Sequence, residues 1–192
     1  MDDQPFLSIV TRSYKKPNCL KRNIASVEMQ TDQDLEQIHI VDDVGRGLAW
    51  ADQALHHNMH RNNGKYVMVL DDDDLILNKH FITLLKHVAE RKKPDVIIWR
   101  GKFLEANITL PLIDQYWGRY PIRAFIGSFN YCLRNELYQK HIHVCQCGIS
   151  GDFDLIKAVF EDNPTPNIFW YNKILVSTQQ KSYGKTTDCK GD

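Results

Sequence analysis

Four consecutive aspartates, Asp71 to Asp74, follow the apolar run Lys65-Tyr66-Val67-Met68-Val69-Leu70. Such a run of β-branched and aliphatic residues reads as a buried strand, with charge beginning where the strand emerges. Adjacent like charges repel by roughly 4 kcal/mol per pair at about 4 Å and an effective dielectric near 20, so the run calls for a cation or full solvation. In an extended chain Asp71 and Asp73 point the same way and can face one ion together. Carboxylate oxygens in this number suit Mg²⁺ or Mn²⁺, which keep waters and take phosphate oxygens from a substrate. The plainer reading is a solvated acidic turn, but such turns seldom follow so hydrophobic a strand.

Two further polar clusters stand at the ends of apolar runs. Thr11-Arg12-Ser13-Tyr14 follows Phe6-Leu7-Ser8-Ile9-Val10, and Asp42-Asp43 follows Ile38-His39-Ile40-Val41. Each strand leads into a helical pattern. Pro17 opens a helix with Leu20, Ile24 and Val27 on one face, and Leu48, Ala51, Leu55 and Met59 mark a second. Asn78 is placed to cap a third, which carries Phe81, Leu84, Leu85 and Val88. Three strand-to-helix units in succession predict a three-layer α/β/α, Rossmann-like fold with a mainly parallel central sheet. Ligands of such sheets bind at the carboxyl ends of the strands, where all three polar clusters lie.

After Pro94 the pattern changes. Val96-Ile97-Ile98-Trp99 is one more strand, followed by shorter pieces rich in aromatics, among them Tyr116, Trp117, Tyr120, Phe125, Phe129 and Tyr131. Gly151-Asp152-Phe153-Asp154 opens a last helix with Phe153, Ile156, Val159 and Phe160, and Ile168–Tyr171 and Ile174–Gln179 read as closing strands. The 192 residues suit one domain, with a first half to about residue 100, a second to about 183 and a polar tail. The 24 basic and 24 acidic residues cancel, which argues against a nucleic-acid or anionic-membrane surface. No apolar run approaches the roughly 20 residues of a membrane span, and the N-terminus lacks the build of a signal peptide. The five cysteines, odd in number and sparse, predict free thiols in a reducing cytoplasm. Self-association into a homodimer stays open.

Taken together, Ser8-Ile9-Val10-Thr11-Arg12-Ser13-Tyr14-Lys15-Lys16-Pro17, Ser26-Val27, Gln30-Thr31, Val41-Asp42-Asp43, Gly64-Lys65-Tyr66 and Leu70 to Asp74 resemble the successive signatures of family 2 glycosyltransferases with the GT-A fold. The resemblance covers roughly the first 80 residues and resumes at Gly151 to Asp154. It implies an inverting, metal-dependent transfer of a sugar from a nucleotide-diphosphate donor to a saccharide or other hydroxyl acceptor. By the same resemblance Thr11, Arg12 and Tyr14 line the nucleotide, and Asp43 with Asp42 reads uracil of a UDP-sugar. Asp71 and Asp73 hold Mn²⁺ or Mg²⁺, Asp72 contacts the donor, and Asp152 is the general base. The chain departs from the pattern at Ala51-Asp52-Gln53, where many relatives carry an Arg-Asn pair that meets the diphosphate, and Arg46 is the candidate substitute. Some relatives also supply a C-terminal histidine to the metal, where this chain has Gln179 and Gln180.

The chemistry asks for these residue types on its own account. A leaving diphosphate gathers negative charge that a divalent ion offsets, and an aspartate is ionised at neutral pH and able to take a proton. Asp152 also reads as a helix N-cap and Asp154 as a first-turn acid. Rival classes are a metal-dependent phosphoryl or nucleotidyl transferase and a catalytically silent nucleotide or sugar-binding module. His56 and His60, at i and i+4, are better explained by a polar helix face than by zinc, and His141, His143, Cys145 and Cys147 cannot surround one ion from a single strand.

Overall fold

The computed structural model describes residues 4–104, 106–147, 151–163, 165–178 and 188–189. Strands β1 (Leu7–Ser13), β2 (Leu35–Val41) and β3 (Tyr66–Val69) alternate with helices α1 (Pro17–Glu28) and α2 (Leu48–His57). Then come β4 (Asp74–Ile76), α3 (Phe81–Lys92), β5 (Val96–Phe103) and β6 (Ile108–Leu110). The chain closes with β7 (Tyr131–Arg134), α4 (Asn135–His141), α5 (Gly151–Asp162) and β8 (Ile168–Thr178). The strand order is β2-β1-β3-β7-β5-β8-β4, with β6 paired to β5.

The expected parallel sheet is present in β2, β1 and β3, whose first residues Leu35, Leu7 and Tyr66 lie in register. Their carboxyl ends therefore open at one edge. β7 runs antiparallel between β3 and β5, and β8 is parallel to β5 while carrying the antiparallel β4 on its far end. The two expected closing strands are one strand, with register shifts opposite Trp99 to Gly101. Gln179 and Gln180 lie outside the described residues.

Period-two alternation divides the core between the two faces of the sheet. Leu7, Ile9, Met68, Leu70, Ile97 and Trp99 pack beneath Phe81, Ile82, Leu85 and Val88 of α3. On the other face Val10, Val67, Val69, Val96 and Ile98 meet Leu55, Tyr138, Leu155, Ile156 and Val159 of α2, α4 and α5. Both sides of each central strand are thus covered, which is why these strands read as continuous apolar runs. Phe81 meets Trp99 edge-on at 5.1 Å, an arrangement that adds about 0.5–1.5 kcal/mol to the burial itself.

Several local expectations shift. Asn78 forms a turn with the His80 amide rather than capping α3, whose N-cap is His80. Leu48 is exposed and Asp52 takes the inner face of α2, so that helix is rotated from its apolar pattern. Cys145 lies in a 3₁₀ stretch, Ile142–Cys147, not a strand. Cys19 and Cys189 form a disulfide across 170 residues, and Cys132 and Cys145 are free and buried. Sparse spacing concealed this pair because the two ends of the chain meet only in space, so the cysteine count carries no information on compartment. Among the described residues no helix is long and apolar enough to cross a membrane.

Candidate functional site

The four aspartates form a tight turn rather than an extended run, with the Asp74 amide donating to the Asp71 carbonyl at 2.9 Å. The turn arises because β3 stops at Val69 and β4 starts at Asp74. Asn23, fully buried on α1, clamps it by donating from Nδ2 to the carbonyls of Asp71 and Asp74, both at 2.9 Å. Gln37 in turn donates to Asn23 Oδ1 and to Thr11 Oγ1 at 2.8 Å each. Thr11 is fully buried and serves as an internal support of this clamp.

Asp71 and Asp73 consequently face different partners. Arg12 forks onto Asp71, Nε to Oδ1 and Nη2 to Oδ2, both at 2.7 Å, and its Nη1 donates to Asp52 Oδ1 at 2.7 Å. Lys16 Nζ lies 2.7 Å from Asp73 Oδ2 and 3.5 Å from Asp72 Oδ1. Asp73 Oδ1 is buried and has no hydrogen-bond partner. The Tyr14 amide donates to Asp72 Oδ2 at 3.3 Å.

Asp152 stands in the first turn of α5, already inside the helix, where the dipole favours its charge. The Ser128 amide donates to its carboxylate and Tyr131 Oη donates to its carbonyl at 2.7 Å. Burial raises the Asp152 pKa, and the nearby Arg12 guanidinium only partly offsets that. Asp52 is pushed up to about 6, first by burial and then by Asp152 and Asp71, although Arg12 pulls the other way. One guanidinium shared among three carboxylates cannot ionise all of them cheaply. Asp72 also rises to about 6, chiefly by burial, and Asp74 is held well above the usual range by burial and by Asp73.

The other sequence candidates separate in space and role. Asp42 Oδ1 accepts from the amides of Val44 and Gly45 at 3.1 and 2.9 Å, and Oδ2 accepts from Arg46. Those amides outweigh a desolvation cost and lower its pKa, so Asp42 shapes the loop after β2. Asp43 beside it is 81% exposed and able to meet a ligand. A methyl added at Gly45, whose φ is +92°, would run into the Tyr14 hydroxyl, so this glycine lets the loops after β1 and β2 touch. Arg46 lies over the Trp50 ring at 4.6 Å and 3.7 Å from Asp43, away from the acidic turn. Asn23 and Asp52 are the residues that sequence reasoning passed over. The signal available was a buried polar position on an otherwise amphipathic helix, visible only once the helix rotation is known.

Of the four carboxylate oxygens of Asp71 and Asp73, Asp73 Oδ1 alone is open to a hard cation, the other three being held by Arg12 and Lys16. Six carboxylates, Asp52, Asp71 to Asp74 and Asp152, outnumber the two cations Arg12 and Lys16, and the unpartnered Asp73 Oδ1 is an oxygen of the kind a hard divalent ion takes. Among the described residues, the one close cluster of three potential ligands is Cys19, Asp188 and Cys189, where both sulfurs are spent in the disulfide.

No protein-family model matches this sequence, and no curated protein is significantly similar to it. Solved structures are. TarS from S. aureus superposes with a TM-score of 0.68 at 12% identity, covering 91% of this chain and 37% of that one. TarS residues 1–349 in complex with UDP-GlcNAc gives 0.66 at 12% identity, covering 92% of this chain and 59% of that one. The mannosyltransferase PcManGT from Pyrobaculum calidifontis, in complex with GDP-Man and Mn²⁺, gives 0.61 at 11% identity, with 94% and 59% covered. This chain thus spans less than two thirds of the length of these neighbours. Identity this low speaks for architecture alone, and the architecture is GT-A: a curled, mainly parallel sheet with acidic turns at its carboxyl edge.

Proposed function

We propose that this protein is a divalent-metal-dependent glycosyltransferase that moves a sugar from a nucleoside diphosphate donor to an acceptor hydroxyl with inversion. The observation that carries this reading is the nearness of the Asp71–Asp74 turn to Asp152 at the carboxyl edge of a GT-A sheet, where Arg12 forks onto Asp71 and acts electrostatically on Asp152. Asp71 and Asp73 are the residues that would hold Mn²⁺ or Mg²⁺. A bound ion supplies charge to offset the departing diphosphate.

Asp152 takes the proton from the acceptor hydroxyl as its oxygen attacks the anomeric carbon, and the bond to the diphosphate breaks on the opposite face. Its raised pKa makes it a stronger base than a free aspartate. Asp43 is exposed and accepts the ring N–H of uracil, while Tyr14 and Asp72 border the nucleotide. TarS in its complexes holds UDP or UDP-GlcNAc, and PcManGT holds GDP-Man with Mn²⁺, which supports a nucleotide-sugar partner and a metal here.

A thermal-shift panel of nucleotide sugars with and without Mn²⁺ tests the reading. A true donor at about 100 times its dissociation constant stabilises by about 2.7 kcal/mol. The expected result is a shift with a UDP-sugar and Mn²⁺, followed by sugar transfer or slow donor hydrolysis. Stronger displacement by GDP than by UDP would overturn the uracil assignment, and no metal-dependent shift with any nucleotide would overturn the function.

A further inference from the structure

The two aspartates assigned to the metal offer four carboxylate oxygens, and the protein's own cations hold three of them. Arg12 takes both oxygens of Asp71, and Lys16 takes Oδ2 of Asp73, all at 2.7 Å. Asp73 Oδ1 alone is without a partner, and it is buried. A free divalent ion entering at Asp73 Oδ1 therefore gains one oxygen at once and must displace Lys16 or Arg12 to gain a second.

Displacement is unfavourable by itself. The Arg12 and Lys16 side chains are only 10% and 14% exposed, so a cation pushed off its carboxylate is left in a poorly solvated place. Asp52 and Asp72 are the nearby alternatives, yet each is already in use by the same two cations. The diphosphate of a donor changes this balance, because it brings the negative charge that the displaced cations need. The reverse holds too: a diphosphate that draws Arg12 and Lys16 away without an ion leaves half-buried Asp71 and buried Asp73 beside Asp72 and Asp74 with nothing to offset them.

We propose that Arg12 and Lys16 are displaceable counter-ions that couple the two ligands: they cap Asp71 and Asp73 in the free protein and pass to the donor diphosphate when a divalent ion takes their place. This rests on the metal-and-diphosphate reading above and adds a role for the two basic residues in positioning and exchange. Coupling of this kind is reciprocal, so nucleotide raises the affinity for metal by the same factor by which metal raises the affinity for nucleotide. The device keeps a free ion off Asp71 and Asp73 while leaving them ready for the ion and nucleotide together.

The test measures Mn²⁺ binding by electron paramagnetic resonance, with and without UDP, and UDP binding by calorimetry, with and without Mn²⁺. It compares wild type with Lys16→Gln and with Arg12→Lys, which keeps the charge but loses the fork, after checking that each variant melts cooperatively. In wild type, UDP should raise Mn²⁺ affinity on the order of tenfold or more. In the variants Mn²⁺ alone should bind more tightly than in wild type, and the coupling factor should fall toward one. Variants that bind Mn²⁺ alone no more tightly than wild type and keep its coupling factor would overturn the proposal and leave the function standing. Wild type that binds UDP equally well with and without Mn²⁺ would remove the metal assignment and this proposal with it.

Discussion

Replacing Asp52 with Asn should stabilise the metal-free protein at pH 8 and leave it unchanged near pH 4. In the unfolded chain this carboxyl titrates near its model value of 3.8, and in the folded protein it is pushed up to about 6, chiefly by burial. The sign follows from proton uptake. Below the unfolded value both states are protonated, and the group contributes nothing. As pH rises toward the folded value, the folded protein keeps a proton that the unfolded chain has lost, so stability falls with rising pH, and above it the full cost is present. A shift of about 2 units corresponds to about 3 kcal/mol, in which the attraction of Arg12 is already counted. For a chain of this size that is roughly 6–12 °C in melting temperature. Asn keeps an oxygen for Arg12 Nη1, which now donates to Asp52 at 2.7 Å, and removes the buried charge. Urea unfolding of both proteins with a chelator present, at pH 4 and pH 8, measures the difference. An Asp52→Asn protein no more stable than wild type at pH 8 would refute the reasoning, because the Arg12 pair would then outweigh burial.

Asp152→Asn should keep donor affinity and lower turnover by roughly 10²-fold or more, since the amide preserves shape but takes no proton. Full transfer activity in that variant would remove Asp152 as the base. Cys189→Ser should lower stability by about 2–5 kcal/mol, because the disulfide to Cys19 closes a loop of 170 residues, and a reductant titration of wild type followed by melting should reproduce it. Gly64→Ala should cost about 1–3 kcal/mol, as its Cβ would meet the Ser8 backbone and lie 2.8 Å from the Leu7 carbonyl carbon, backbone of β1 that the sheet holds in place. A melting curve near that of wild type would show that the turn before β3 shifts away from β1 more readily than this contact indicates.

Much of the donor half was legible because its information is local. The alternation of strand and helix up to Val88, and the placing of acid at Asp42-Asp43 and at Asp71 to Asp74, follow from hydrophobic period and from charge appearing where a strand ends. The same signals marked Gly151 as the start of the last helix, whereas the role expected of Asp152 came from the family resemblance and not from any local pattern. The sequence carried no comparable signal for β7, since Tyr131–Arg134 is short, and its place between β3 and β5 depends on pairing with residues more than 30 positions away. The turn at Asp71 to Asp74 was equally hidden: an extended run and a turn share the same letters, and Asn23, 48 residues earlier, selects the turn by holding two of its carbonyls. Only the tertiary structure decided which charges meet. Arg12 and Lys16 find their aspartates across 59 and 57 residues, and Cys19 finds Cys189 across 170. Pairing of this kind is set by the sheet register and the helix rotation, which fix side-chain positions to within the few ångströms over which a hydrogen bond or a disulfide forms.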